Sequence, residues 1–169
     1  MNTAVPASAE TTLPPALPRR IGLRLALAAV ALVELTDGMA AAILVGDMSG
    51  LGAIVKLYLV AQPVLALAAL IFALIGHVRY AIPALGVIVL LAWLKFMSLV
   101  PHGFEFGTLF AMLHSAAQTI AFPLFGICAM ALAARGERLG IATMLVAIPT
   151  VVYLFNALAF LIGVMIYGF

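Results

Sequence analysis

A chain of 169 residues that is 67% hydrophobic and 8% charged has too little polar surface to clothe a soluble domain of its size in water. Its formal charge of +2 is the balance of eight Lys and Arg against six Asp and Glu, and the basic residues are too few and too scattered for a nucleic-acid footprint, so no nucleic-acid partner is expected. Cys128 is the only cysteine, which excludes an intrachain disulfide and any CxxC metal or redox pair.

Residues 1–18 are rich in Ala, Thr, Ser and Pro without hydrophobic periodicity and read as a disordered cytoplasmic tail. A competing reading takes Arg19, Arg20 and the apolar run 21–33 as a signal peptide cleaved near 39–42. Its amino-terminal region is unusually long for that, and Glu34 and Asp37 interrupt the hydrophobic region where it should be continuous.

Five apolar stretches follow, at 21–45, 53–76, 81–100, 106–134 and 139–169. Each meets the ~20 residues that a helix needs to cross ~30 Å of hydrocarbon. Residues 19–169 therefore read as one all-α domain, a polytopic integral membrane bundle of five transmembrane helices whose main partner is the lipid bilayer. The connections at 46–52, 77–80, 101–105 and 135–138 are short, so successive helices run antiparallel as neighbours.

Arg19, Arg20, Arg24, Arg79, Arg135 and Arg138 fall on one side of these spans, and Lys56, Asp47 and Glu105 on the other. Positive charge favours the cytoplasmic side, which places the amino end inside and the carboxyl end outside, multi-pass in a bacterial-type inner or plasma membrane. Tyr58, Tyr80 and Tyr167 fall near span ends, as an aromatic belt requires, while Trp93 lies deeper and packs between helices.

Pro83 stands near the start of the third span and Pro101 closes it. Pro123 and Pro149 lie inside long spans, where each removes a hydrogen bond and crowds a carbonyl four residues earlier, those of Thr119 and Leu145. Both are expected kinks. No internal repeat stands out, and an odd number of spans argues against a simple duplicated unit.

The informative anomalies are polar groups at membrane depth. With ~1.5 Å of rise per residue, Asp37 falls roughly 13 Å below the outer boundary, His114 about 12 Å and Asn156 about 15 Å. Glu34 and Gln118 are one turn deeper, near the midplane, and Gln62 and Lys95 approach the same slab from above. Glu34 and Asp37, at i and i+3, share a helix face, as do His114 and Gln118 at i and i+4.

An acidic residue near a helix centre costs up to ~3.5 kcal/mol, while a Leu, Ile, Phe or Val returns only ~0.3–0.6 kcal/mol. Two carboxylates cancel about all that the eleven such residues of the first span contribute. The arrangement of least cost turns Glu34 and Asp37 inward, pairs at least one with Lys95 or His114 and leaves the other protonated. The bland alternative is interhelical glue, at ~0.6 kcal/mol per contact. Lys95 also lies close enough to the outer edge to snorkel.

Cofactor readings run out quickly. His77 and His102 sit at opposite edges and leave only His114 inside, so bis-histidine haem is not expected, and no cofactor is assigned. Glu34, Asp37 and His114 have ligand types suited to a mixed oxygen and nitrogen metal site, but nothing in their spacing singles one out. HExxH, Walker A, GxSxG and GxGxxG motifs are missing. Ser115 follows His114 directly, which turns their side chains ~100° apart and excludes a nucleophile and base pair.

Two functions are expected. The first is movement of a proton, ion or small solute by Glu34 and Asp37, with His114 modulating and Gln118, Asn156 and Lys95 completing the polar cluster. The second is a non-catalytic accessory subunit, where the same residues bind a membrane-protein partner or a second copy. An intramembrane enzyme is the third reading.

Overall fold

Two glycines set the hairpins. The computed structural model describes residues 16–45, 50–99 and 109–168, with the side chains of 16–19, 99, 109–111 and 114 outside the description. The tail 1–15, most of the first loop and the third loop with His102 and Glu105 lie outside the described residues. The elements are α1 (Ala16–Val45), α2 (Ala53–Ile75), α3 (Val78–Leu99), α4 (Leu109–Ala116), a π-helical turn (Ala117–Ala121), α5 (Phe122–Arg135) and α6 (Leu139–Tyr167). The described fold is all-helical, and five of its helical runs are long and apolar enough to cross a membrane.

Gly76 and Gly136 end α2 and α5 in the left-handed region, at φ 96° and 71°, where a Cβ is strained. Around each, the last carbonyls are satisfied in the same way. Gly76 N–H donates to Ala73 and His77 N–H to Phe72; Gly136 N–H donates to Ala133 and Glu137 N–H to Leu132. An arginine from the preceding span completes each cap. Arg24 donates through Nε to the Ala73 carbonyl at 3.2 Å and through Nη2 to that of Leu74, and Arg79 donates through Nε to Ala133 at 3.0 Å and through Nη2 to Ala134. These caps make the turns shorter than expected. α3 begins at Val78 rather than 81, so Pro83 sits inside the helix rather than near its first residue.

The two hairpins are built alike, contrary to the expectation of no internal repeat. Pro63, Ala66, Ala69, Ala73 and Gly76 recur sixty positions on as Pro123, Gly126, Ala129, Ala133 and Gly136. The three small residues of each set at 66, 69, 73 and 126, 129, 133 are buried. Arg24, Leu27, Val30 and Ala31 recur fifty-five positions on as Arg79, Ile82, Leu85 and Gly86, again with the apolar members and Gly86 buried. α6 continues the series as an unpaired fifth span, its buried Ala142, Thr143, Val146 and Thr150 standing sixty-one positions after the buried Ala81, Ile82, Leu85 and Val89. Only the Arg, Ala, Pro and Gly positions match in identity. The repeat lives in burial and capping, which a composition dominated by alanine and leucine conceals.

Alternate spans run parallel, so α1, α3 and α6 point the same way and touch one another in every pairing, with α2 and α5 packed alongside. Arg20, Arg24, Arg79, Arg135 and Arg138 gather at one end and Lys56 and Lys95 at the other. Small residues allow the closest approach: a Cβ added at Gly86 would stand 2.7 Å from Met130 Cγ and 3.3 Å from the Gly126 carbonyl. Gly86→Ala is therefore expected to destabilise the protein by about 1–3 kcal/mol through overpacking. Gly163→Ala, with open space around it, is the control in the same thermal melts in detergent, expected to stay within about 0.5 kcal/mol or gain.

The exterior is apolar. Leu44, Phe155, Phe160, Met165 and Ile166 are among many large hydrophobic side chains left exposed, a surface suited to hydrocarbon and not to water.

Candidate functional site

The repeat explains why one cavity collects the polar groups. Val33, Glu34 and Asp37 of α1 correspond in register to Ile88, Val89 and Ala92 of α3 and to Pro149, Thr150 and Tyr153 of α6, and all nine line a single cavity of about 420 Å³. Tyr58 of α2 and Gln118 of the π-helical turn, themselves sixty positions apart, line it too. The three parallel helices thus present the same turn at the same depth. Acids come from α1, apolar groups from α3 and hydroxyls from α6.

Equal depth sets the pairing. Thr150 Oγ1 donates to Glu34 Oε1 at 2.7 Å, and Tyr153 OH donates to Asp37 Oδ1 at 2.8 Å. Gln62, wholly buried on α2, bridges the remaining two oxygens: its Nε2 donates to Glu34 Oε2 at 3.1 Å and to Asp37 Oδ2 at 3.2 Å. Each of the four carboxylate oxygens accepts from a neutral donor. The Gln62 Oε1 atom is buried with no partner.

Gln62 reaches this place because Gly38 leaves room for it. A Cβ at Gly38 would lie 3.2 Å from Gln62 Cγ and Cδ and 3.1 Å from Pro63 Cδ, so α1 and α2 pack tightly beside the carboxyl pair. Pro63 follows Gln62 inside α2 and donates no N–H of its own.

The acids are expected from the sequence to pair with Lys95 or His114; the His114 side chain lies outside the described residues, and Lys95 is not seated against either acid. Lys95 lines the cavity, but its Nζ stands 3.9 Å from the centroid of the Tyr58 ring in a cation–π contact and makes no ion pair with Glu34 or Asp37. Neutral hydrogen-bond donors take that role, because residues on α2 and α6 reach the acids at matching depth. Tyr58 is accordingly 6% exposed and faces the interior instead of an aromatic belt, whereas Tyr80 and Tyr167 are exposed near helix ends as expected. It shares the inward stripe of α2 with Gln62, Ala66, Ala69 and Ala73.

Of the sequence-derived candidates, Glu34, Asp37, Gln118 and Lys95 come together at this cavity. Asn156 makes an interaction of its own but does not line it, one turn beyond Tyr153. The His114 side chain lies outside the described residues, so the metal reading retains only its two carboxylates. Among the described residues, no group of three His, Cys, Asp or Glu is placed to hold a metal ion. Thr150 and Tyr153 were not legible as site residues. The available signal was their depth, equal to that of Glu34 and Asp37 on a helix running the same way.

Pro123 acts as expected on its neighbour carbonyl, but through a wider turn. The chain relaxes into the π-helical segment, where Phe122 N–H bonds Ala117 O, and the Thr119 carbonyl that Pro123 leaves without a donor accepts Trp93 Nε1–H at 3.1 Å. Trp93 packs between helices, as its depth indicated, and lines the cavity as well. Trp93→Phe removes this donor and is expected to lower stability by about 1–3 kcal/mol, read by helical melting in detergent.

No protein-family model matches the chain, and the comparisons with curated proteins and with solved structures yield no match either. Geometry alone defines the class: a five-helix bundle with an apolar exterior and, among the described residues, a partly open cavity that holds a carboxyl pair.

Proposed function

We propose that this is a multi-pass membrane protein, amino end cytoplasmic, that moves a proton or a small cation through the cavity between α1, α3 and α6. The gathering of arginines at one end supports that orientation, and a plasma or inner membrane as its place. One observation carries the functional reading. Two acids share a low-dielectric cavity, every oxygen already oriented by a neutral donor, while the cavity's own ammonium stands off on Tyr58. A carboxylate oxygen has more than one lone pair, so the donors hold the pair in place and still leave acceptor capacity for a positive species. Acids used only as glue need no such cavity. Acids at membrane depth mark ion and proton pathways.

The test is reconstitution of the pure protein in sealed vesicles, with a lumenal pH dye and an imposed cation gradient. Dye response above that of protein-free vesicles supports the reading. A pure protein that is silent, but that co-purifies with a membrane partner from which Glu34 and Asp37 variants dissociate, replaces it with the accessory-subunit role.

A further inference from the structure

The cavity is built for something larger than a proton. Its volume of about 420 Å³ falls among small-molecule sites of ~300–1,000 Å³ and far exceeds the ~30 Å³ share of one water. A bare inorganic ion would be met by the carboxyl, hydroxyl and amide oxygens alone and would leave the aromatic remainder of the volume unused. Apart from the acids, their hydroxyl donors, Gln118 and Lys95, the lining is aromatic and aliphatic, with Tyr58, Trp93, Phe96, Phe122 and Ile88 its largest members.

Charge gives the sign of the occupant. Two carboxyl groups face one ammonium, so the ionised cavity carries one unmatched negative charge, costly in a low dielectric until a cation or proton meets it. Geometry gives the seat. Lys95 Nζ over the Tyr58 ring shows that this face, beside the acids, accepts an ammonium.

We propose that the cavity binds a small organic monocation with an apolar body, its charge on Glu34 and Asp37 and its body against the aromatic walls, and that Lys95 is a tethered competitor for the Tyr58 seat. The ligand enters as the proton or Lys95 leaves, so cation binding displaces a positive charge already in the cavity. This rests on the reading of Glu34 and Asp37 as a cation-binding pair. It adds the ligand class and the role of Lys95.

The probe is benzyltrimethylammonium, a permanent cation with an aromatic body, compared with its uncharged carbon isostere neopentylbenzene. Binding is measured by equilibrium dialysis on the full-length protein in detergent, and localised by emission of Trp93, the only tryptophan, which lines the cavity. The expected result is saturable binding of the cation with a change in Trp93 emission, and no saturable binding of the isostere. Equal behaviour of the two compounds overturns the proposal, as does cation binding that leaves Trp93 unperturbed.

Lys95→Met is expected to tighten cation binding several-fold, by about the worth of a cation–π contact. Unchanged or weaker binding removes the competitor role. Tyr58→Phe keeps the ring face and the affinity, whereas Tyr58→Leu weakens binding about 2- to 30-fold. Equal affinities for these two overturn the seat and do not depend on any change of charge. Cation binding without vesicle flux leaves this inference standing and removes transport; proton flux without cation binding does the reverse.

Discussion

Glu34→Gln combined with Asp37→Asn is expected to reduce vesicle flux at least ~10-fold while leaving the helical bundle assembled, since hydrogen bonds to charged groups are worth about 1.5–3 kcal/mol. The isosteric amides keep one carbonyl each to accept from Gln62 Nε2. Their new NH2 groups then face the hydroxyls of Thr150 and Tyr153, which rotate from donor to acceptor. Local geometry therefore survives the loss of charge. The melting temperature should hold or rise, because two ionisable groups leave a low-dielectric site. A double variant with normal melting and undiminished flux would remove the carboxyl pair from the mechanism. A variant that fails to assemble would show that the acids are structural, and the single variants Glu34→Gln and Asp37→Asn then separate their contributions.

The second large effect is expected at Gln62, which bonds both acids. Gln62→Leu preserves side-chain bulk but removes the only donor among the described residues to Glu34 Oε2 and Asp37 Oδ2, and each orphaned group costs about 1–3 kcal/mol. If the loss arises from the acids and not from packing, it must shrink when they are neutralised first. The check is a double-mutant cycle of thermal stability in detergent, with Gln62→Leu placed in the native and in the Glu34→Gln, Asp37→Asn backgrounds. Coupling of at least ~1 kcal/mol is expected for directly bonded groups. Additive losses would show that Gln62 is held by Gly38 and Pro63 alone, and that the bridge contributes nothing.

Much of the site was legible because hydropathy and rise per residue report depth. Counting along each apolar run brought Glu34, Asp37, Gln118 and Lys95 to one slab, and the structure places all four at one cavity. Depth does not report azimuth. Asn156 lies near the same slab but does not line the cavity, and Tyr58, expected at an interface from its distance to a helix end, is turned inward. Rotation about a helix axis is set by which small residues allow close packing, and that is a property of pairs of helices.

Five apolar helices, their short antiparallel connections and the asymmetry of arginine are dictated by composition along the chain, because each span alone meets the length and hydropathy that hydrocarbon demands. The choice of neutral partners over Lys95 for the acids, the register that matches Glu34 with Thr150 and Asp37 with Tyr153, and the shared plan of the two hairpins were decided only in the folded bundle. Those features depend on contacts between different helices, 25 to 116 positions apart for the acids and their donors, or on burial and caps repeated with few repeated side chains. Local patterning carries little trace of either beyond the depth of Thr150 and Tyr153 and the recurring Arg, Pro and Gly.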